Sequence, residues 1–481
     1  MNKILYWIIP KNKCFKESSI SGGVMRHKPY LILISAMIIF SFNACSFQNS
    51  KEEQEGKESS SELTVLNWSK SKIDDVISQF STLHPEIKVQ DKRYFDNDEG
   101  GFKEKAITEL MAGGGPDILV FRVKEFPNLH KILENDTLYD LNKLIEKSKS
   151  FKLEEYNKTV MDSGVYEDER NLIPLYSNLP VMITTKSFLS NQGISIPDNG
   201  VTWPELAQMA KKFVSNSNNK GKYMFSNDFN YENLMQCSYM KYIDYTKRNS
   251  SFDSNEFISL LNICKEIQPA VCPTEIAKKA NSAEHLAKGT VGFVRDDDTM
   301  ELSNLFSYNS ICKQYFGEEM YLIPFPSDQK NVDIIGNVRV MVGINANCKR
   351  PKEAFEFLEL LLKKENQTPY MNINKNYVKG SPVNIDAWNE ELKYYMGSGL
   401  GIEKHLFGDE TGVIEFIPSP LSSKMGAEID QLYRGITRVE FGDYRVLTIL
   451  TEETKAFLSG KASAEETAKN INQKVMLYLN E

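Results

Sequence analysis

The chain has 481 residues, with 57 Lys and Arg against 65 Asp and Glu, a formal charge of −8, and a composition that is 41% hydrophobic and 11% aromatic. That apolar share supports a large core and excludes global disorder. The acidic balance excludes a nucleic-acid surface, which needs clustered Lys and Arg to neutralise phosphates.

The first predicted element is an export signal over residues 1–44. Arg26 and Lys28 are positive, Tyr30 to Phe42 is apolar apart from Ser35 and Ser41, and Ala44 places a small residue directly before Cys45. A charged start, a short apolar run and a small-residue cleavage site make a secretory signal. The run falls short of the roughly 20 residues that cross a hydrocarbon core. Phe42-Asn43-Ala44-Cys45 resembles a bacterial lipobox, so Cys45 is expected to become the lipid-bearing N-terminus. Met25 gives this signal an ordinary charged n-region and is the expected start. Residues 1–44 carry six Lys/Arg and one acid, which leaves the remaining 437 residues at −13. Ser46–Glu62 is polar, charged and serine-rich, a flexible tether. As a random coil it spans roughly 20–25 Å.

Order begins at Leu63–Leu66, a short β-rich strand. Ile73, Val76, Ile77, Phe80 and Leu83 recur at helical spacing, and Ile87 and Val89 alternate as a second strand. Phe102, Ala106, Ile107, Leu110 and Met111 mark a second helix, which Gly113-Gly114-Gly115 ends. Ile118–Phe121 is a continuous apolar strand of the kind buried on both faces. Strand, helix, strand, helix, strand with short connections predicts a parallel, doubly wound α/β sheet. Ligands of such sheets sit outside the carboxyl ends of the strands. Here those ends present Trp68, Tyr94-Phe95 and Phe121-Arg122.

Further along, Ile173–Tyr176 leads into Val181–Thr185. Thr202 reads as the N-cap of a helix with Pro204 in its first turn, which makes Trp203 a structural contact. Ser254 opens another helix, Val340–Ile344 is β-rich, and Pro351 starts a helix bearing Ala354, Phe355, Phe357, Leu358 and Leu361. The C-terminus is mostly helical, with a capping-box start at Ser463–Glu466. Five of the seven cysteines remain once the signal is removed and Cys45 carries lipid, an odd number that leaves at least one free thiol. No His-Glu-x-x-His, Gly-x-Ser-x-Gly or complete phosphate loop is present, so no enzyme, metal or cofactor is expected. Asp96–Gly101 reads as a turn, because glycine stands where a calcium ligand belongs.

Several segments in this order carry a family pattern: Leu63–Phe121 with Ala112-Gly113-Gly114-Gly115-Pro116-Asp117-Ile118, Ile173-Pro174-Leu175, Gly193 to Leu206, Phe252-Asp253-Ser254, Gly336–Ile344 and Phe457–Leu479. Together they resemble the extracellular solute-binding proteins of family 1, sugar-binding components of ABC importers, over Leu63–Glu481. The resemblance implies a two-lobed periplasmic-binding-protein-like fold, each lobe a doubly wound sheet. It divides the chain into residues 63–172 plus 336–385 and residues 173–335 plus 386–481. Crossings are expected near Leu172–Ser177, Ile335–Val338 and Pro382–Asp386.

The same resemblance implies a carbohydrate held between the lobes by Trp68, Phe121, Tyr176, Asn178, Arg295, Asp296 and Asn337. Phe121 would be a stacking platform, Asn178 stands where relatives carry an acid, and Arg295 with Asp296 would form a fork for hydroxyls. Charge-assisted hydrogen bonds of that kind are stronger than neutral ones. The implied partners are a carbohydrate, ABC permease subunits and, through the lipid on Cys45, the outer face of the membrane, with the protein a monomer. Two alternatives stand beside it. One is an exported carbohydrate-active enzyme, whose paired carboxylates need be close only in space. The other is a ligand-sensing adaptor for a membrane histidine kinase.

Overall fold

The computed structural model describes residues 62–67, 73–93, 99–123, 126, 129–178, 180–197, 200–236, 238–296, 302–328, 334–368, 380–397, 404–409, 412–440 and 442–481. All of them belong to one compact unit, Lys57–Glu481. The expected signal, Cys45 and nearly all of the tether lie outside the described residues.

The N-terminal elements follow the predicted alternation. Strand β1 (Glu62–Asn67), helix α1 (Asp74–Leu83), strand β2 (Lys88–Arg93), helix α2 (Glu99–Met111) and strand β3 (Ile118–Arg122) form in order. β1 pairs parallel with both β2 and β3. Gly113 and Gly115 take the left-handed conformation that ends α2, at φ 78° and 88°. Asp117, just before β3, accepts from the backbone and hydroxyl of Thr64 at 2.8 and 2.7 Å and so pins the two strands together. A short helix, α3 (Leu129–Glu134), then leads away from the sheet.

Strand β4 (Ile173–Asn178) is buried throughout, as is β5 (Val181–Thr184), which follows after two residues. Thr202 caps α4 (Trp203–Ser215) with the reciprocal Thr202–Glu205 box, and Trp203 is buried, as its placement at a helix start predicts. Strand β6 (Tyr223–Phe225) and helix α5 (Asn255–Ile267), capped by Ser254, precede β7 (Val291–Asp296). Helix α6 (Leu302–Phe316), β8 (Tyr321–Pro324), the long β9 (Ile335–Ile344), α7 (Pro351–Leu362) and the two-residue β10 (Ser381–Pro382) follow. Then come α8 (Ile385–Met396), the hairpin β11 (His405–Asp409) and β12 (Gly412–Phe416), α9 (Ser423–Arg434) and β13 (Arg438–Glu440). Two helices, α10 (Tyr444–Leu458) and α11 (Ala464–Asn480), complete the chain.

The strands form two principal sheets. The larger runs β10-β4-β9-β3-β1-β2, with β13 also on β9; the smaller runs β8-β5-β7-β6. β9 is antiparallel to β3 and β4, so the large sheet is mixed where the sequence predicted a parallel one. Two cores form, the first of them spanning the large sheet and also taking in Val181, Ile183, Val291 and Val294 of the smaller one. Leu63, Val65, Leu119, Val342 and Phe357 belong to the first, and Trp203, Phe225, Phe257, Phe293, Leu450 and Val475 to the second. Each fully buried side chain of this size stabilises by roughly 1.5–3 kcal/mol. The described cysteines Cys264, Cys272, Cys312 and Cys348 are buried free thiols. Among the described residues no helix is long and apolar enough to cross a membrane.

Candidate ligand-binding site

Direction of the strands decides which residues meet. β1 and β3 are parallel and end at Asn67 and Arg122; β4, also antiparallel to β9, ends on the same edge at Asn178. β9 runs the other way and therefore begins on that edge. In register, Asn337 of β9 lies opposite Asn178 on one side and opposite Glu440 of β13 on the other. Residues paired in register project from the same face. Two amides and a carboxylate thus make a row across three strands.

Asn178 and Glu440 are buried and Asn337 is half-buried. Glu440 is ion-paired with Arg438. Buried polar groups are costly without hydrogen-bond partners, so a largely buried polar row at these strand ends marks a place where polar contacts are needed. Beside it, a Cβ at Gly380 would fall 2.8 Å from the Tyr176 Cβ and 3.1 Å from the Asn178 Oδ1. Only glycine lets the chain lie that close. Tyr176 is itself buried, paired with Val340 and Pro382.

The smaller sheet joins this edge through the two-residue link between β4 and β5. Val181, the first residue of β5, pairs with Asp296 at the end of β7 and with Pro324 at the end of β8. The chain passes between the sheets again from β8 to β9. A third passage runs from β13 to α10, whose Val446, Leu447 and Leu450 belong to the second core. Arg295 is 5% exposed and engaged: its Nη1 donates to the Asp228 carbonyl at 3.3 Å, and its guanidinium carbon lies 4.4 Å from the Phe325 ring centroid. Phe325 in turn meets Trp203 edge-on at 5.6 Å. The Asp228 carboxylate accepts from Ser226 and Ser282 hydroxyls at 2.9 and 2.6 Å.

One of the predicted roles needs correction. Phe121 stands at a strand end, but its ring is 1% exposed and packs on Phe126 at 4.3 Å, so it fills the core and offers no open face. Arg295, one half of the expected fork, is held by the Asp228 carbonyl and the Phe325 ring. Asn178 and Asn337 are brought together, with Tyr176 two residues along β4 from Asn178. Trp68, Tyr94 and Phe95 lie outside the described residues, as does the side chain of Asp296.

Glu440 was not anticipated, although the alternation Arg438-Val439-Glu440 is a readable strand signal. Tyr444 was not anticipated either: it opens α10 at the third passage, four residues after Glu440, and is 52% exposed. Among the described residues no group of three or more His, Cys, Asp or Glu is placed to hold a metal ion.

The model of the bacterial extracellular solute-binding proteins matches residues 76–388 of the sequence. The chain belongs to this family. Its fold is shared with other solute-binding proteins of known structure. The sugar-binding protein MalE from Xanthomonas citri superposes with a TM-score of 0.62 at 15% identity, over 87% of this chain and 97% of its own. A putative oligosaccharide periplasmic-binding protein from Synechococcus sp. MITs9220 gives 0.59 at 14%, over 87% and 99%. The ABC substrate-binding protein Lmo0181 from Listeria monocytogenes, solved in complex with cycloalternan, gives 0.56 at 14%, over 87% and 99%. At such identities the likeness is one of fold, the two-lobed periplasmic-binding-protein architecture. No curated protein sequence matches significantly.

Proposed function

We propose that this solute-binding protein captures a sugar or oligosaccharide between its two lobes and hands it to the permease of an ABC importer, held at the outer membrane face by a lipid on Cys45. The observation that carries the reading is the Asn178–Asn337–Glu440 row at the strand ends where the two sheets join. Amides both donate and accept, and a carboxylate accepts twice, which suits a rim of hydroxyls. Half-exposed Tyr444 supplies an apolar face for the sugar's C–H surface. The described binding partners of the structural neighbours, a sugar for MalE and cycloalternan for the Listeria protein, support the same ligand class.

The lobes are proposed as residues 62–178 with 335–440 and residues 181–324 with 444–481. That places the hinge crossings at 179–180, 325–334 and 441–443, where the strands leave one sheet for the other. This replaces the expected crossings at Leu172–Ser177 and Pro382–Asp386, since β4 and β10 both pair inside the large sheet. Three short crossings suit a hinge that closes on a ligand. Membership in a binding-protein family favours this over the exported-enzyme alternative, and nothing specific favours a kinase adaptor.

A thermal-shift panel of mono- and oligosaccharides tests the reading, because a ligand that binds only the folded state raises its stability. At least one sugar is expected to raise the melting temperature and to be recovered intact. A panel without any shift, or recovery of cleaved sugar, would overturn it.

A further inference from the structure

The third passage between the lobes carries a buried polar cluster that sugar capture does not use. Asp443 caps α10: its Oδ1 accepts from the Arg445 and Val446 amides at 2.9 and 3.2 Å. Its Oδ2 accepts from the Tyr245 and Tyr478 hydroxyls at 2.8 and 3.1 Å, and its own amide donates to the Tyr239 hydroxyl at 2.5 Å. Tyr478 spends its single proton on Asp443, so its oxygen is left to accept. The donor is Nδ1 of His130, 3.0 Å away on α3.

His130 is 5% exposed, lies 4.9 Å from the Tyr478 ring and 5.3 Å from the Tyr245 ring, and its Nε2 is buried without a partner among the described residues. One turn along α3, Glu134 pairs with Arg248 at 3.1 Å. His130 and Glu134 come from α3, which directly follows β3 of the large sheet and buries Leu129 and Ile132 in the first core. Tyr239 and Tyr478 belong to the second core, and Tyr245 packs against it. The cluster therefore ties the large-sheet side to the C-terminal helices across a crossing.

We propose that His130, Tyr478 and Asp443, with the Glu134–Arg248 pair beside them, form an interlobe latch that protonation of His130 releases; the inference rests on the two-lobed, hinge-closing reading above. A second proton has only Nε2 to go to. There it would place a charge and an unpaired N–H in a buried site, which is costly. Swinging α3 away returns both nitrogens to water, so acid favours the unlatched arrangement. The charged and titratable groups around the imidazole are Asp443, Glu134, Lys131 and Arg248, with the Tyr245 and Tyr478 hydroxyls. Burial, joined by Lys131 and Arg248, holds the imidazole below its usual range against the pull of Asp443 and Glu134. The tyrosines are pushed well up by burial and keep their protons.

Small-angle scattering on the chain without ligand, at pH 7.5 and pH 5.5, tests the latch. The native protein is expected to expand at pH 5.5 while remaining folded by circular dichroism. His130→Gln, which can still donate to Tyr478 and does not titrate, is expected to give the same radius of gyration at both values. Tyr478→Phe removes the acceptor and should already be expanded at pH 7.5. A native radius that does not change with pH, an equal expansion in His130→Gln, or a compact Tyr478→Phe would each overturn the proposal. Failure of every sugar in the thermal-shift panel would count against solute capture and leave the scattering result standing. Sugar-induced stabilisation with no response to pH would do the reverse.

Discussion

Two polar regions lie only three residues apart, at Glu440 and Asp443, and they are built on opposite principles. Asp443 is saturated: two amides cap onto one oxygen and two tyrosine hydroxyls onto the other. The row containing Asn337 stands at strand ends and keeps one member half-open to solvent. A saturated carboxylate has no capacity left for a ligand, so its contribution is to structure. A partly open amide between two polar neighbours has capacity to spare, at little benefit to the fold. On the proposed reading, the difference separates residues that hold the lobes in place from residues that meet the solute.

Substitutions can break that separation or sharpen it. The largest expected effect is from Phe121→Ala, which hollows the first core. It should destabilise by about 3–5 kcal/mol in denaturant unfolding, the usual loss for a buried phenylalanine. A mild loss of stability with a large loss of affinity would restore Phe121 as a ligand platform. Asp443→Ala removes a helix cap, worth about 1 kcal/mol, and strands two buried hydroxyls at about 1–3 kcal/mol. It should cost stability while the protein still binds sugar, checked by paired unfolding and calorimetric titrations. Asn337→Ala should do the opposite. About tenfold weaker binding is expected, near 1.4 kcal/mol, with an unfolding midpoint almost unchanged.

The smallest expected effect is on pH dependence. His130 binds its proton less readily in the folded chain than in the unfolded one, so the unfolded state takes up more protons as pH falls through the usual histidine range. The contribution of this group to stability should therefore be complete above pH ~6.5 and decline below it. Unfolding curves at pH 7.5 and pH 5.5 should show the decline in the native protein and less of it in His130→Gln.

Much of this architecture could be read from the residues. Helical spacing in Ile73–Leu83, the glycine stop at Gly113–Gly115 and the apolar run Ile118–Phe121 depend on local backbone preference, and β1, β2 and β3 form as read. The Thr202 cap and the structural role of Trp203 were also local. The mixed sheet was not legible, because β9 is inserted between β3 and β4 from more than 150 residues away in the chain. For the same reason the proposed crossings differ from the expected ones: Ile173–Asn178 reads equally well as the last strand of one lobe or the first of the next. At the site, residue type alone suggested Phe121, but exposure depends on what packs above a ring, here Phe126. Residue type also suggested Arg295, but the Phe325 ring that it packs on lies 30 residues further along the chain. Glu440 acquires its importance only from β13 lying beside Asn337, a pairing between segments that no local pattern announces.

A crystal structure with the sugar selected by thermal shift would test the central claim most directly. The expected result is density between the lobes, with hydroxyls hydrogen-bonded to Asn337 or Glu440 and a ring face against Tyr444. A ligand bound elsewhere, with the Asn178–Asn337–Glu440 row untouched, would contradict it.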